Sequence, residues 1–298
     1  PAHMTFFTTS ERLEIGGIPF PSVNAKPTRG EALEYYRQVA AYYHLDVRQY
    51  HHVENVTGCD GAFTAHTVDR FGRPGTIEAR KLAVSTGYYD LPNWMGIPGE
   101  SSSKVLHYYH DPYPYYDMDV MVIGGKNSAA IAALELWRSG ARVTLVYRGA
   151  EIHPHVKYWI KPDIENRIKD GEIKAYFSTQ VLEITPDAVS IETPTGGEKL
   201  HNDFVFALTG YHPDFSFLER LGVNFEGEDR CPRCNPTTLE SNVPGIYLAG
   251  VIVAGSRTSE IFIENGRFHG KQIADSLVLK ARSRDGMSDP VASASSIG

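Results

Sequence analysis

Cysteine is scarce in this chain: Cys59, Cys231 and Cys234 are the three among 298 residues. So few thiols cannot make a disulfide framework at this length, and a cytoplasmic setting is expected. No apolar run approaches the ~20 residues that cross a bilayer. No segment near the start joins charge, an apolar stretch and small residues as a signal peptide does. A membrane is therefore not an expected partner. Lysine and arginine form no long block and the formal charge is −7, so nucleic acid is not an expected partner either. What remains is 42% hydrophobic and 22% charged residues, material for one large domain or two ordinary ones.

Thr28 is placed to cap a helix through "RGEALEYYRQVAAYYH", with Leu33, Tyr36, Val39, Ala40 and Tyr43 on one face. "DVRQYHHVENV", "AFTAHTVD" and "TIEARKLAVSTG" read as extended, and "RFGRPG" suits a hairpin turn between the last two. A connector rich in tyrosine and proline runs from His107 to Tyr116. At Asp119 the composition changes. "DVMVIGG" is an apolar, parallel-type strand, "NSAAIAALELWRSG" an alanine-rich helix closed by Gly140, and "RVTLVYR" a second strand. Together they span about 30 residues, as a β-α-β crossover does. A helix near Pro162–Lys169 and a buried strand in "DFVFALTG" follow. "GIYLAGV" then leads into a helix through "SEIFIENGRFHGKQIADSLVL". The small, polar tail, 281–298, is expected to be disordered.

Chemistry concentrates where the first apolar strand meets its helix. Gly124, Gly125, Lys126, Asn127, Ser128 and Ala129 form a glycine turn into a helix N-terminus, whose unpaired amides and partial positive charge suit a pyrophosphate. Gly124 supplies the turn and Ala129 allows close helix–strand packing, while Lys126 stands where a dinucleotide site usually has its middle glycine. A purely structural turn is the competing reading. At the end of the second strand an NAD site places a carboxylate for the ribose 2′-hydroxyl. Here Tyr147 and Arg148 stand there, and Arg148 can pair with a 2′-phosphate, so NADP(H) is expected. Lys157 and Lys161 are further candidates for that charge, or solvated surface lysines.

The motif order carries a resemblance. "AVSTGYYDLP" is similar to the strand ending that precedes the nicotinamide domain in flavoproteins with two dinucleotide domains, and "FALTGYHPD", with Gly210, to its second copy. "GIYLAGV" is similar to their late ribityl-contacting motif. With "TFFTTSERLEIGG", "VIGGKNSAA" and "EIFIENGRFHG", the chain from Pro1 to about Leu279 resembles the bacillithiol-disulfide reductase family, a thioredoxin-reductase-like branch. The resemblance implies an α/β fold of two Rossmann-like domains, each a three-layer arrangement of parallel sheet plus antiparallel meander. An FAD domain would come from residues 1–114 and 213–280, and an NADPH domain from 115–212.

Family members begin with a further segment of roughly forty residues that grips FAD through its own glycine turn. The chain opens at Pro1, where that segment would join. A truncated chain with an incomplete FAD domain is expected, with FAD a cofactor of the full-length parent and its binding by this chain left open. Carried over motif by motif, Ser85, Thr86, Gly87 and Tyr88 would line the flavin nucleotide, and Val53, with His52 beside it, would face adenine. Gly250 and Val251 would meet the ribityl chain, with Val251 standing where relatives usually have Asp. Glu260 and Ile261 would sit at a helix start near the flavin ring. Small-residue strand ends are the plainer account of "STG" and "LAG".

Thioredoxin reductases carry a Cys-x-x-Cys just before the nicotinamide strand, whereas this connector, "HYYHDPYPYYDMDV", has no cysteine. Only a thiolate attacks a disulfide, so an internal dithiol there is excluded. Cys231 and Cys234 have redox or metal spacing, but a zinc site wants about four ligands, and a surface loop is the competing reading. The connector tyrosines, Tyr108, Tyr109, Tyr113, Tyr115 and Tyr116, read as aromatics packed between domains, and His107 and His110 as structural histidines. The expected activity is an NADPH-dependent flavoprotein oxidoreductase acting on a small-molecule disulfide such as bacillithiol disulfide, with a homo-oligomer the family's suggestion. The alternatives are a ferredoxin- or thioredoxin-type reductase acting on a protein, and a non-catalytic NADP(H)-binding protein.

Overall fold

The computed structural model describes residues 4–258 and 260–284. These form two compact units, one from Pro92–Gly210 and the other from Thr5–Leu91 with the chain from Tyr211 onward. In the first unit the elements are β1 (Val105–Leu106), β2 (Asp119–Ile123), α1 (Asn127–Arg138), β3 (Arg142–Val146), α2 (Lys161–Lys169), β4 (Lys174–Tyr176), β5 (Gln180–Ile184), β6 (Ala188–Thr193), β7 (Gly196–His201) and β8 (Phe204–Ala207). A five-stranded parallel sheet runs in the order β1-β8-β2-β3-β4, and β5-β6-β7 make an antiparallel meander.

Alternation along the central strands assigns the two faces of this sheet. Val120, Val122, Val143, Leu145 and Phe206 pack with the alanine-rich face of α1, where Ala129, Ala130, Ala132 and Ala133 bring the helix close to the strands. Met121, Ile123, Val146, Val205 and Ala207 face the other way, onto Ile184, Val189 and Ile191 of the meander. Each large apolar side chain buried in these layers contributes about 1.5–3 kcal/mol. Helix α1 stops where Gly140 adopts φ +87°. There the Gly140 amide donates to the Trp137 carbonyl (2.9 Å) and the Ala141 amide to that of Leu136 (3.0 Å), satisfying the last carbonyls. The unit starts earlier than the expected boundary at residue 115, because β1 joins the sheet beside β8.

The second unit contains the expected Thr28-capped helix, Arg29–Tyr42. Thr28 Oγ1 accepts from the Glu31 amide (3.3 Å) and Glu31 returns the bond to the Thr28 amide (2.7 Å). Its buried face is only partly the expected one, with Val39 shared and Tyr36 packed at its edge. Ala32, Tyr35 and Val39 are buried, whereas Leu33 is 49% and Tyr43 47% exposed. Tyr35 stacks on Phe20 at 4.3 Å, and its hydroxyl accepts from the Ile15 amide (2.9 Å) and donates to the Ile18 carbonyl (2.7 Å). A tyrosine whose hydroxyl finds such partners can enter a core ahead of a leucine two positions away.

Strands His52–Cys59, Ala62–Val68 and Pro74–Ala79 form an antiparallel meander. Asp69 Oδ1 closes the hairpin by accepting from the Phe71 and Arg73 amides. The long run "TIEARKLAVSTG" breaks, and Leu82–Val84 pairs in parallel with Ile246–Leu248. The expected helix from "SEIF" also breaks. A helical turn spans Ile263–Gly266 and a long helix His269–Arg284. Phe262 is extended, and the Asn265 side chain accepts from the Phe262 amide (2.7 Å) while donating to the Glu260 carbonyl (2.8 Å), replacing helical bonds. Residues 281–284, expected in a disordered tail, continue the long helix, as Ala and Arg favour. The rest of that expectation, 285–298, lies outside the described residues. Among the described residues no helix is long and apolar enough to cross a membrane.

Candidate functional site

In the first unit the turn between β2 and α1 is built by backbone demands. Gly124 has φ +141°, and a β-carbon there would lie 2.6 Å from the Leu208 carbonyl oxygen and 3.0 Å from the Ala129 β-carbon. Its amide donates to the Val146 carbonyl at 2.9 Å, locking the turn to β3. Lys126 is the exposed N-cap, with extended backbone. The first helical bond runs from the Ala130 amide to the Lys126 carbonyl (3.0 Å), so the amides of Asn127, Ser128 and Ala129 stand at the helix mouth. That is the arrangement an anionic pyrophosphate requires.

The end of β3 comes to this turn. The ring of Tyr147 lies against Gly125, where a β-carbon would come within 2.3 Å of it. Arg148 is exposed, and the segment after it folds back. The His153 amide donates to the Gly125 carbonyl (3.0 Å), and the Lys157 amide to Asn127 Oδ1 (2.9 Å). Asn127 Nδ2 in turn donates to the His155 carbonyl (3.3 Å). Ile152 and Val156, both buried, anchor the segment in the core. Burial lowers the His153 pKa, and the nearby Lys126, His155 and Lys161 lower it further. The turn is thus rimmed by cationic or titratable groups.

The sequence missed His153 and His155 as members of this rim. Their signal is "IHPHV", two histidines set between apolar residues four apart. It also missed Asn127 as a two-sided clamp, which depends on partners far along the chain. Lys157 stands over the Trp159 ring at 5.3 Å. Gly210 closes its motif with φ +99°, its carbonyl accepting from the Asn93 amide at 2.9 Å.

In the second unit two strand ends converge. Leu248 pairs with Val84, and the Ala249 amide donates to the Val84 carbonyl (2.9 Å), so Ser85 onward lies beside Gly250. Gly87 and Gly250 both have φ +77°, and a β-carbon on either would meet nothing within 4 Å. Open space next to exposed Ser85 and Thr86 fits a nucleotide's ribose and phosphate better than a closed core. Tyr88 and Val251 are half-buried. The Gly250 amide donates to His269 Nδ1 at 3.0 Å, so this ring accepts there, and burial lowers its pKa. Val53 packs on the cluster containing Val84 and Ile246, with His52 exposed at the strand start. Glu260 and Ile261 stand just before Phe262, the N-cap of the helical turn Ile263–Gly266. Glu260 pairs with Arg257 at 3.1 Å, and Gly266 lies against both Ile261 and the Gly250 backbone.

The cysteines lack the setting of a reactive dithiol. Cys231 lies in a two-residue strand and donates from Sγ to the Ala254 carbonyl at 3.4 Å. Burial pushes the Cys234 thiol up, with Glu226 and Cys231 adding to the effect. Tyr109 and Tyr115 pack into the core of their own unit against Phe206. His107 is buried beside Trp94 and 3.9 Å from Glu100.

The glycine turn, parallel sheet and paired strand ends define a Rossmann-like α/β protein of the kind that binds dinucleotides. Residues 1–250 match the family model described as pyridine nucleotide-disulphide oxidoreductase. Bacilliredoxin reductase Bdr of Bacillus subtilis is 47% identical over 285 residues, covering 92% of this chain and 84% of that protein. The solved bacillithiol disulfide reductase Bdr of Bacillus cereus is 46% identical with a TM-score of 0.91, covering 94% of this chain and 86% of its own. That of Staphylococcus aureus is 41% identical with a TM-score of 0.88 at the same coverage, 94% and 86%. The chain belongs to the pyridine nucleotide-disulphide oxidoreductase family, in the branch of the bacillithiol disulfide reductases.

Proposed function

We propose that this chain is an NADPH-dependent flavoprotein oxidoreductase that reduces a low-molecular-weight disulfide, with bacillithiol disulfide as the substrate. The observation that carries the reading is the glycine turn at Gly124–Ala129 with its cationic rim, in a chain so similar to bacillithiol disulfide reductases. Nicotinamide, when bound, supplies the hydride and FAD carries it to the disulfide. The balance is one NADPH and one proton consumed, with one disulfide giving two thiols.

The chain's own residues bind and orient. In the Pro92–Gly210 unit the α1 amides and Lys126 hold the pyrophosphate. Arg148 and Lys157 take the 2′-phosphate, and Tyr147 occupies the place of an NAD-selecting carboxylate. In the other unit Ser85, Thr86, Gly87 and Tyr88 hold the flavin nucleotide beside Gly250 and Val251, with Glu260, Ile261 and the His52–Val53 strand start at its edges. Without a Cys-x-x-Cys before β2, electrons leave the flavin directly for the substrate disulfide, or through a second disulfide that is reduced to two thiols on the way. The same reading assigns a cytoplasmic, homo-oligomeric enzyme.

The test is an absorption spectrum of the purified protein with added FAD, followed by anaerobic NADPH. Flavin bands near ~450 nm that bleach with NADPH and return with bacillithiol disulfide are expected. A colourless protein that binds NADPH would overturn the enzyme reading in favour of a non-catalytic NADP(H)-binding protein.

A further inference from the structure

We infer that His153 is a proton-linked reader of the dinucleotide's 2′-phosphate, charging when the phosphate arrives and so favouring NADP(H) over NAD(H). This rests on the NADP(H) reading above and adds a residue and a mechanism to it. The position of His153 is set by backbone, not by chance contact. Its amide is held by the Gly125 carbonyl at 3.0 Å, and its segment is pinned by buried Ile152 and Val156 and clamped by Asn127. The segment leaves the end of β3, the place from which Rossmann-like sites read the ribose 2′ position. His153 therefore bridges the two places where the ligand's anionic groups are expected, the helix mouth and the strand end.

In the free protein the surroundings of the ring disfavour its charged form. Its Nδ1 accepts from the His155 amide at 3.1 Å, which places the proton on Nε2. The His155 ring lies edge-on to it at 5.1 Å. The charged or titratable groups that face it are Lys126 from the turn, His155 from its own segment and Lys161 from α2, with Glu165 reaching Lys161 at 3.6 Å. All three neighbours disfavour a second proton, as does burial. A dianionic phosphate reverses the sign of that local field, and attraction between full charges outweighs one neutral hydrogen bond. One proton from solvent then enters at Nδ1, the His155 amide bond is given up, and both ring nitrogens donate.

The experiment is calorimetric titration of the full chain with NADP+ and with NAD+, between about pH 6 and pH 8, in buffers of different ionisation heat. NADP+ binding is expected to take up protons near neutral pH, and NAD+ binding to take up few. His153→Asn keeps an oxygen to accept from the His155 amide but cannot charge. It should abolish the uptake and weaken NADP+ about tenfold at the acid end, with NAD+ changed less than about twofold. The ligand's own phosphate also gains charge over this range, with a pKa near ~6, so the parent–variant difference is the decisive quantity. Proton uptake on NADP+ binding that is the same in parent and variant overturns the role of His153 and leaves the dinucleotide site standing. A parent protein that binds neither dinucleotide overturns both.

Discussion

Tyr147 and Gly125 are shaped for each other: a β-carbon on Gly125 would fall 2.3 Å from the tyrosine ring, and one on Gly149 would fall 2.4 Å from it. Two glycines thus clear a seat for an aromatic ring where an NAD-selecting carboxylate stands in other Rossmann-like sites. Gly125→Ala must displace the ring and disturb the turn, and should weaken NADP+ by at least about tenfold, or ~1.4 kcal/mol. Tyr147→Glu should instead lower the preference for NADP+ over NAD+, since a carboxylate accepts from a 2′-hydroxyl and repels a 2′-phosphate. Fluorescence titration with both dinucleotides measures each effect. A Gly125→Ala protein that folds and binds NADP+ like the parent contradicts the seat.

Lys104 is a second place where a polar group has been made indispensable. Only 8% exposed, its ammonium donates to Asn202 Oδ1 (2.7 Å), the Asn202 carbonyl (3.1 Å) and the Pro186 carbonyl (3.1 Å). Burial lowers its pKa, and Asp187 and Asp203 oppose the shift. Lys104→Met leaves three acceptors without their donor in the edge where β1 meets the loop before β8. A loss of about 3 kcal/mol is expected, read from the urea midpoint. A loss below ~1 kcal/mol would show that water replaces the ammonium there.

Local signals made much of this fold legible. The β2-turn-α1-β3 unit follows from apolar runs, a glycine turn and a terminal glycine, all short-range. Thr28 is legible as a helix cap from its residue type and place, and the structure adds the returning bond with Glu31. What failed to show is long-range. Leu33 and Tyr43 keep helical period as well as Tyr35 does, and only the distant carbonyl and amide of Ile18 and Ile15 decide in favour of Tyr35. The break before Ile263 depends on Asn265 competing for the Phe262 amide, a choice that helix propensity does not encode. In the site the glycine turn was visible, whereas His153 and His155 became part of it through the His153 bond to Gly125 and the clamp at Asn127.

The three thiols should separate by reactivity. Cys59 is exposed, whereas burial, then Glu226 and Cys231, raise the pKa of Cys234, and Cys231 is partly covered with its thiol on the Ala254 carbonyl. A thiolate is the reacting species, so at neutral pH one fast thiol and slower ones are expected with an aromatic disulfide reagent. Cys59→Ser should remove the fast phase. The Cys231→Ser, Cys234→Ser double variant should keep NADPH-driven disulfide reduction within about twofold, because neither thiol is set up to attack. A large loss of turnover with flavin reduction intact would reinstate this pair as the electron outlet.

Glu240 offers a stability test whose pH dependence can be signed in advance. Burial pushes its carboxyl up, but the Lys280 ammonium, the Gly245 amide at 2.9 Å and the charges of Lys280 and Lys81 outweigh this and hold the pKa low. The pair joins the helix His269–Arg284 to the residues that lead into the strand Ile246–Leu248. A group whose pKa is depressed by folding contributes stability above its unfolded value of about 4.3 and loses it as pH falls through the folded value. Glu240→Gln keeps an acceptor for Gly245 but removes the charge. It should cost about 1 kcal/mol at pH 7 in urea unfolding, with the difference from the parent closing as the carboxylate protonates in acid. A gap of constant size from neutral pH down into the acid range would mean that shape rather than charge makes the contact stabilising.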